Sequence, residues 1–431
     1  MPLPGGFKLL YVVLDGAADS PASPKRVLED AYKPNIDSLA RHALCGSVIT
    51  VGRGIAPESD VAVMSLLGYE PDRYYTGRGP LEALGAGIDF LEGDVALRAN
   101  FATVDPATLK IIDRRAGRSL TSREARELAE AIDGMPLDEG RARAIFRATI
   151  GHRGVLVLRH SMYRLSADIT NTDPAYERIG RISHARKDFP PFIQEAKPLK
   201  DTPEAKLTAK LVNDFTRRAI EILDKHPVNE ARRAKGLPPA NAVLLRDAGD
   251  SLPDAPPFAE RFGFTMASIV EMVVERGIAR ALGISDIDLG INIEEASIEE
   301  RLEREAWAAA ESLSKYDGVY VHLKGPDEPG HDGDYERKKE AIELIDKYFF
   351  SKILNMIEVE KTIIVVTSDH ATPWDRKAHS DDPVPLMISN PRLSGSHTGF
   401  NEIECGRGSL GLIEGAYKII PTVKSIASKL L

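Results

Sequence analysis

Acids and imidazoles recur where the most apolar runs of this chain stop. Thr362-Ile363-Ile364-Val365-Val366-Thr367 is β-branched and apolar, and it breaks into Ser368-Asp369-His370-Ala371-Thr372-Pro373. A run of that composition reads as a strand buried on both faces. Residues 8–14 form a second such run and end in Asp15-Gly16. Residues 318–324 form a third, followed by Gly325-Pro326-Asp327-Glu328-Pro329-Gly330-His331. His397 sits in the loop Ser396-His397-Thr398-Gly399, beyond a short apolar strand at 384–389. Carboxylate oxygens and imidazole nitrogens together suit a divalent transition metal. In an open α/β sheet, ligands bind at the carboxyl ends of the strands. Any one of these residues could equally be a helix cap or a loop side chain. Their recurrence after successive buried strands makes Asp15, Asp327, His331, Asp369, His370 and His397 candidate metal ligands.

Ser59 adds a nucleophile. Pro57-Glu58-Ser59-Asp60 opens an apolar-periodic segment that Gly68 stops, so Ser59 falls at or near a helix N-terminus. Backbone N–H groups and the helix dipole favour an anion there. Alone, that position is an ordinary cap. Next to metals it gains chemistry, because a metal-bound serine hydroxyl loses its proton far more easily. Two metals about 3.5–4 Å apart can hold both the attacking and the leaving oxygen of a phosphoryl transfer.

The elements that must position these residues alternate between strand and helix at both ends of the chain. Residues 34–42 read as helix, 46–51 as strand, and 76–83 as a turn-rich loop. Residues 264–277, 299–314 and 334–353 read as helices. Between about 101 and 239 the texture changes. A strand at 108–113 leads through Arg114-Arg115-Ala116-Gly117-Arg118 to a helix at 121–132. Strands follow at 154–158 and 163–166, then a polar loop at 168–174 and a long helix at 203–225; 242–246 is another strand. The expected class is α/β, with a doubly wound core sheet flanked by helices, built from residues 1–101 and 240–431. A smaller α+β domain at 102–239 is inserted into it.

Composition narrows the partners. The chain has 431 residues, more than one core usually supports. Apolar residues are 43% and charged residues 28%, as in globular domains. A net charge of −9 argues against nucleic acid or an anionic membrane as partner. Only Lys8 precedes the first apolar run, so no signal peptide is read, and no stretch reaches transmembrane length. Cys45 and Cys405 are too few for a disulfide framework, consistent with a cytoplasmic protein. Gly406-Arg407-Gly408-Ser409-Leu410-Gly411 has the dinucleotide spacing but lacks the strand before it and the βαβ length after it. No Walker A sequence is present. His379, on the loop after Asp369-His370, is left out of the ligand set, and His42, His152, His160, His184 and His226 are read as surface or core.

These motifs resemble the alkaline phosphatase superfamily of metalloenzymes. More closely, the chain resembles the archaeal-type cofactor-independent phosphoglycerate mutases, and the likeness runs nearly end to end. It includes Leu97-Arg98-Ala99-Asn100-Phe101-Ala102-Thr103, Asp113-Arg114-Arg115-Ala116-Gly117-Arg118 and Cys405-Gly406-Arg407-Gly408-Ser409-Leu410-Gly411. The resemblance implies an alkaline-phosphatase-like core and Ser59 as the phosphorylated nucleophile. One metal would be held by Asp15, Ser59, Asp369 and His370, the other by Asp327, His331 and His397. In the family these two divalent ions are typically Mn²⁺, with Zn²⁺, Co²⁺ or Mg²⁺ as substitutes, and no 2,3-bisphosphoglycerate is needed. The implied activity is glycolytic interconversion of 3-phosphoglycerate and 2-phosphoglycerate.

The insert then acquires a purpose. Glycerate must turn within the site while water is kept from the phosphoserine, so a mobile lobe carrying Arg residues is expected. Guanidinium binds carboxylate or phosphate through two bonds. The substrate-binding candidates are Arg114, Arg115 and Arg118 of the insert, with Arg78 and Lys324 of the core. Two other classes remain open at this point: another phosphoryl-transfer enzyme on the same metal core, and a metal-binding protein without catalysis. The sequence leaves the oligomeric state open.

Overall fold

The structure is a computed structural model that describes residues 3–179, 182–395 and 397–430. The chain forms two compact units, Met1–Tyr75 with Asp254–Leu431, and Thr76–Pro253.

The first unit is built on an eight-stranded sheet. In spatial order its strands are Ser285–Asp286, Met266–Ile269, Gly318–Leu323, Lys8–Leu14, Thr362–Ser368, Val384–Ser389, Ala43–Ile49 and Gly411–Glu414. Every described strand of this sheet runs in one direction except Val384–Ser389, which is antiparallel to both neighbours. The three central strands are buried along almost their whole length, as their β-branched composition requires. Period-two alternation separates their faces. Leu10, Val12, Leu14, Val319, Val321, Leu323, Ile364 and Val366 join one apolar core with Leu302, Ala306 and Ala309 of the helix Ile298–Lys315. The alternate residues, Tyr11, Asp15, Tyr320, His322, Lys324, Thr367 and Asp369, share the other face.

The second unit has a sheet of its own, ordered Ala242–Gly249, Val95–Val104, Arg153–His160, Ala142–Ala148 and Met135–Leu137, all antiparallel pairs. The helices Ser122–Ile132 and Pro203–Asp224 cover one face through Ala125, Leu128, Val212 and Phe215. Thr121 and Glu124 close the start of the first of these in a capping box.

This division differs from the boundaries expected at 101/102 and 239/240. Val95–Val104 pairs from Val95 onward with Arg153–His160 and Ala242–Gly249, so residues on both sides of the expected cuts are committed to the inserted sheet. The segment 76–83, expected as a loop, is helical from Arg78 onward as part of the helix Arg78–Gly85, which follows Gly77 at φ 115°. A β-carbon on Gly79 would lie 2.4 Å from the Ala96 carbonyl oxygen, so glycine lets this helix approach the strand. Residues 163–166 are not a strand, and 108–113 keeps only Ile111–Asp113, because Asp105 Oδ1 turns the backbone at Ala107 and Thr108. Residues 264–277 split into the strand Met266–Ile269 and the helix Val273–Ala281, since four fully buried residues extend the parallel sheet beside Gly318–Leu323. Among the described residues no helix is long and apolar enough to cross a membrane.

Candidate active site

Register gathers the acids. Leu14 pairs with Leu323 on one side and Ser368 on the other. Asp15, Lys324 and Asp369 are therefore the next residues out on three adjacent parallel strands, and the Asp15 amide donates to the Leu323 carbonyl at 3.0 Å. Gly16 turns the chain with φ 59°, and its N–H donates to Asp369 Oδ1 at 3.0 Å. The His370 amide donates to the same oxygen. Asp369 Oδ2 is left facing His370 Nε2 at 3.2 Å, and Asp15 Oδ1 faces that nitrogen at 3.6 Å. Both oxygens are buried without a hydrogen-bond partner.

Ser59 is the first residue of the helix Ser59–Leu66, and Glu58 before it supplies no side-chain cap. Ser59 Oγ lies 3.2 Å from His370 Nε2. The cap alternative fails for this serine because its side chain turns to His370 rather than to the backbone. Gly68, at φ 93°, ends the segment as its position suggested.

A second group lies on the helix Asp327–Asp332, where i,i+4 spacing puts Asp327 and His331 on one face, Oδ2 and Nε2 3.5 Å apart. His379 Nε2 approaches Asp327 Oδ1 at 3.5 Å. Its ring stacks on His370, centroids 3.8 Å apart. His379 Nδ1 lies 2.8 Å from the Pro57 carbonyl, which can only accept, so Nδ1 carries the hydrogen and Nε2 is the open atom. His331 Nδ1 faces the Lys377 carbonyl at 3.3 Å in the same way.

The donor atoms of Asp15, Asp369 and His370 lie within 4.8 Å of one another, and so do those of Asp327, His331 and His379. Orphaned buried carboxylate oxygens converging on imidazole nitrogens are costly without a cation and well matched to one, so the residues present fit divalent metals. His397 is not brought into either group; its Nδ1 lies 3.9 Å from Glu404 Oε2. The reason is strand direction. Val384–Ser389 runs against its neighbours, so its beginning lies at the edge where the other strands end. His379 precedes that strand and reaches the site; His397 follows it. The place of His379 before the strand rather than after it matters only because of that direction, which the structure supplies.

Sequence reasoning also passed over Glu275 and His322, both fully buried. Glu275 Oε1 takes Lys324 Nζ at 2.5 Å and lies 3.2 Å from His322 Nδ1, while His322 Nε2 is 3.4 Å from Asp369 Oδ2. Burial opposes charge on Glu275, but Lys324 and His322 outweigh it and hold the carboxyl at about 2. Burial pushes Asp15 up to about 6, against the pull of Lys324. Lys324, expected as a substrate ligand, has its ammonium on Glu275 and on Asp15 Oδ2, the latter at 3.1 Å.

In the second unit the guanidiniums crowd together. Arg98 and Arg246 are directly opposed across one strand pair, and Arg153 opposes Asn100 across the next. Glu82 Oε1 takes Arg78 Nε at 2.8 Å and Arg98 Nε at 3.0 Å, and Asp247 Oδ2 takes Arg98 at 3.5 Å and Arg246 at 3.4 Å. Like charges facing across a sheet destabilise it. Burial, with Arg153, Arg115, Arg118 and Arg246 around the ring, pushes His152 down to about 4. Arg114 is bound through both Nε and NH2 to the buried Asp173 carboxylate at 3.1 and 2.7 Å, and Arg246 of the cluster reaches the same carboxylate at 3.3 Å.

Residues 40–229 match the family profile described as 2,3-bisphosphoglycerate-independent phosphoglycerate mutase. A protein of that name from Aeropyrum pernix is 60% identical over 423 residues, covering 97% of this chain and 99% of the relative. A Methanocaldococcus jannaschii protein named 2,3-bisphosphoglycerate-independent phosphoglycerate mutase 1 is 38% identical, covering 95% of each chain. Among solved structures, a Pyrococcus horikoshii protein superposes with TM-score 0.78 at 29% identity, covering 99% of this chain and 98% of that one. A cofactor-independent phosphoglycerate mutase from Thermoplasma acidophilum superposes with TM-score 0.66 at 31% identity, covering 98% of this chain and all of that one (100%).

Proposed function

Because the chain belongs to the family of 2,3-bisphosphoglycerate-independent phosphoglycerate mutases, and so is an isomerase of that type, we propose that it interconverts 3-phosphoglycerate and 2-phosphoglycerate through a phosphoserine on Ser59. The observation that carries the nucleophile is the 3.2 Å approach of Ser59 Oγ to His370 Nε2 at an uncapped helix start.

Ser59 Oγ attacks the phosphorus of 3-phosphoglycerate, the bond to the 3-oxygen breaks, and that oxygen leaves with a proton as the glycerate hydroxyl. Glycerate turns, its 2-hydroxyl gives up a proton as its oxygen attacks the phosphoserine, and Ser59 is released. The dipole of the helix Ser59–Leu66 favours the serine oxyanion and the phosphoserine that alternates with it. Two divalent ions, Mn²⁺ in the family's usual case, would be held by Asp15, Ser59, Asp369 and His370 and by Asp327, His331 and His379, and would supply Lewis-acid stabilisation of the reacting oxygens. His379 takes the place that the sequence expectation gave to His397. Arg78, Arg98, Arg115, Arg118, Arg153 and Arg246 bind the carboxylate or phosphate of the substrate, whose negative charge offsets their crowding. Arg114 positions the buried Asp173 instead.

The test is to supply chelator-stripped protein with Mn²⁺ and 3-phosphoglycerate, without bisphosphoglycerate, and to follow 2-phosphoglycerate. Metal-dependent isomerisation supports the reading. Release of phosphate and glycerate alone would mean a phosphatase on the same core.

A further inference from the structure

Thr372 stands between the two candidate metal groups and belongs to neither. Its hydroxyl oxygen is 3.0 Å from His370 Nδ1 and 2.7 Å from Asp327 Oδ1. One hydroxyl thus touches a member of each group.

The direction of the protons follows from the partners. Thr372 O–H donates to the Asp327 carboxylate, because an ionised carboxylate only accepts. The hydroxyl oxygen must then accept from His370 Nδ1–H. That fixes the imidazole tautomer, and Nε2 becomes the bare atom. Nε2 is the atom that faces Ser59 Oγ, Asp369 Oδ2 and Asp15 Oδ1 at 3.2, 3.2 and 3.6 Å. A metal-ligating histidine ordinarily has its second nitrogen held this way, and such partners set ligand orientation and basicity.

The surroundings keep the hydroxyl in place. Thr372 is fully buried. Its amide donates to the Ala18 carbonyl at 3.0 Å, and its carbonyl accepts from the buried Lys338 ammonium at 2.8 Å. Lys338 is itself fixed by Asp19 at 2.8 Å. Two glycines are cleared around it: a β-carbon on Gly16 would come within 2.8 Å of Thr372 Oγ1, and one on Gly330 within 2.8 Å of the Thr372 carbonyl.

We propose that Thr372 is a positioning residue that couples the two metal groups, its hydroxyl holding His370 in the Nδ1–H tautomer and orienting Asp327 at the same time. This rests on the two-metal reading above. Removing the hydroxyl frees the His370 ring and leaves Asp327 Oδ1 without that bond, so both sites weaken together.

The experiment is calorimetric titration of Mn²⁺ into the chelator-stripped full chain for the parent, Thr372→Val and Thr372→Ser. The parent curve tests the two-metal reading by itself, through its stoichiometry. Thr372→Val should lose about 10- to 100-fold in affinity at both sites. Thr372→Ser, which keeps the hydroxyl and drops the methyl, should return both affinities to within a few-fold of the parent. Equal binding by Thr372→Val and the parent overturns the proposal, and so does weakening at one site only. Thr372→Ser as weak as Thr372→Val also overturns it, since the methyl would then be what matters. Should Thr372→Val fail to fold, Thr372→Ala replaces it with the same expectation.

Discussion

The Nε2 atom of His370 faces the hydroxyl of Ser59 at 3.2 Å, although the two residues are 311 positions apart in the chain. The serine sits at a helix start and the imidazole at a strand end. Their meeting places a serine hydroxyl among metal-type donors. Ser59→Ala should abolish isomerisation, by about 10⁴-fold or more, because no other hydroxyl replaces the nucleophile. Metal content should fall far less, since the remaining donors stay. Phosphate retained covalently on the parent but not on Ser59→Ala, read by intact-protein mass spectrometry during turnover, checks the intermediate. Covalent phosphate persisting on Ser59→Ala would place the nucleophile elsewhere.

His379 and His397 make opposite predictions. Losing His379 removes a donor that faces Asp327 at 3.5 Å, so His379→Ala should weaken one of the two metal sites by at least about 100-fold. His397→Ala should leave both sites near the parent affinity. Metal analysis after dialysis at fixed free Mn²⁺ separates the two variants. The reverse result would return His397 to the ligand set.

The guanidinium cluster of the second unit makes His152 a reporter. Burial and four neighbouring arginines push its pKa down to about 4. An anion bound among those arginines cancels part of that field, so the His152 pKa should rise when phosphoglycerate binds. By linkage, binding then tightens as pH falls through the raised value. NMR titration of the His152 ring with and without substrate reads both pKa values. Arg153→Met should raise KM about tenfold or more with a smaller change in kcat. An unmoved ring would argue that the anion binds elsewhere.

Glu402 gives a pH dependence of stability. It is 4% exposed, its Oε1 accepts from the Asp19 amide, and its Oε2 has no hydrogen-bond partner. Burial pushes its carboxyl up from the ordinary 4.5 to about 7. The folded chain therefore keeps a proton that the unfolded chain releases near pH 4.5. This group costs nothing below that pH, and stability falls as pH rises toward 7, with the full loss above it. Glu402→Gln stays neutral and should be more stable than the parent by about 1–3 kcal/mol at pH 8. The gap should close toward pH 4.5. Thermal melting of both proteins across this range is the check, and a gap independent of pH would sink the account.

The sequence by itself determined the core strands and most of the metal-type donors, and it singled out Ser59. Runs such as Lys8–Leu14 and Thr362–Ser368 have no amphipathic alternative, so they must lie inside a sheet, and the acids that end them must lie at its edge. The i,i+4 spacing of Asp327 and His331 likewise needs only a helix. What the tertiary structure decided depends on the direction and register of segments far apart in the chain. His379 rather than His397 joins Asp327 because Val384–Ser389 runs antiparallel, which nothing inside that strand encodes. Val95–Val104 belongs to the inserted sheet because of its partners, Arg153–His160 and Ala242–Gly249. Glu275 and Thr372 look like ordinary polar residues in sequence; pairing across the sheet and helix packing bring each within bonding distance of the site. Local composition fixes what a segment must bury, while the pairing of distant segments fixes which polar atoms meet.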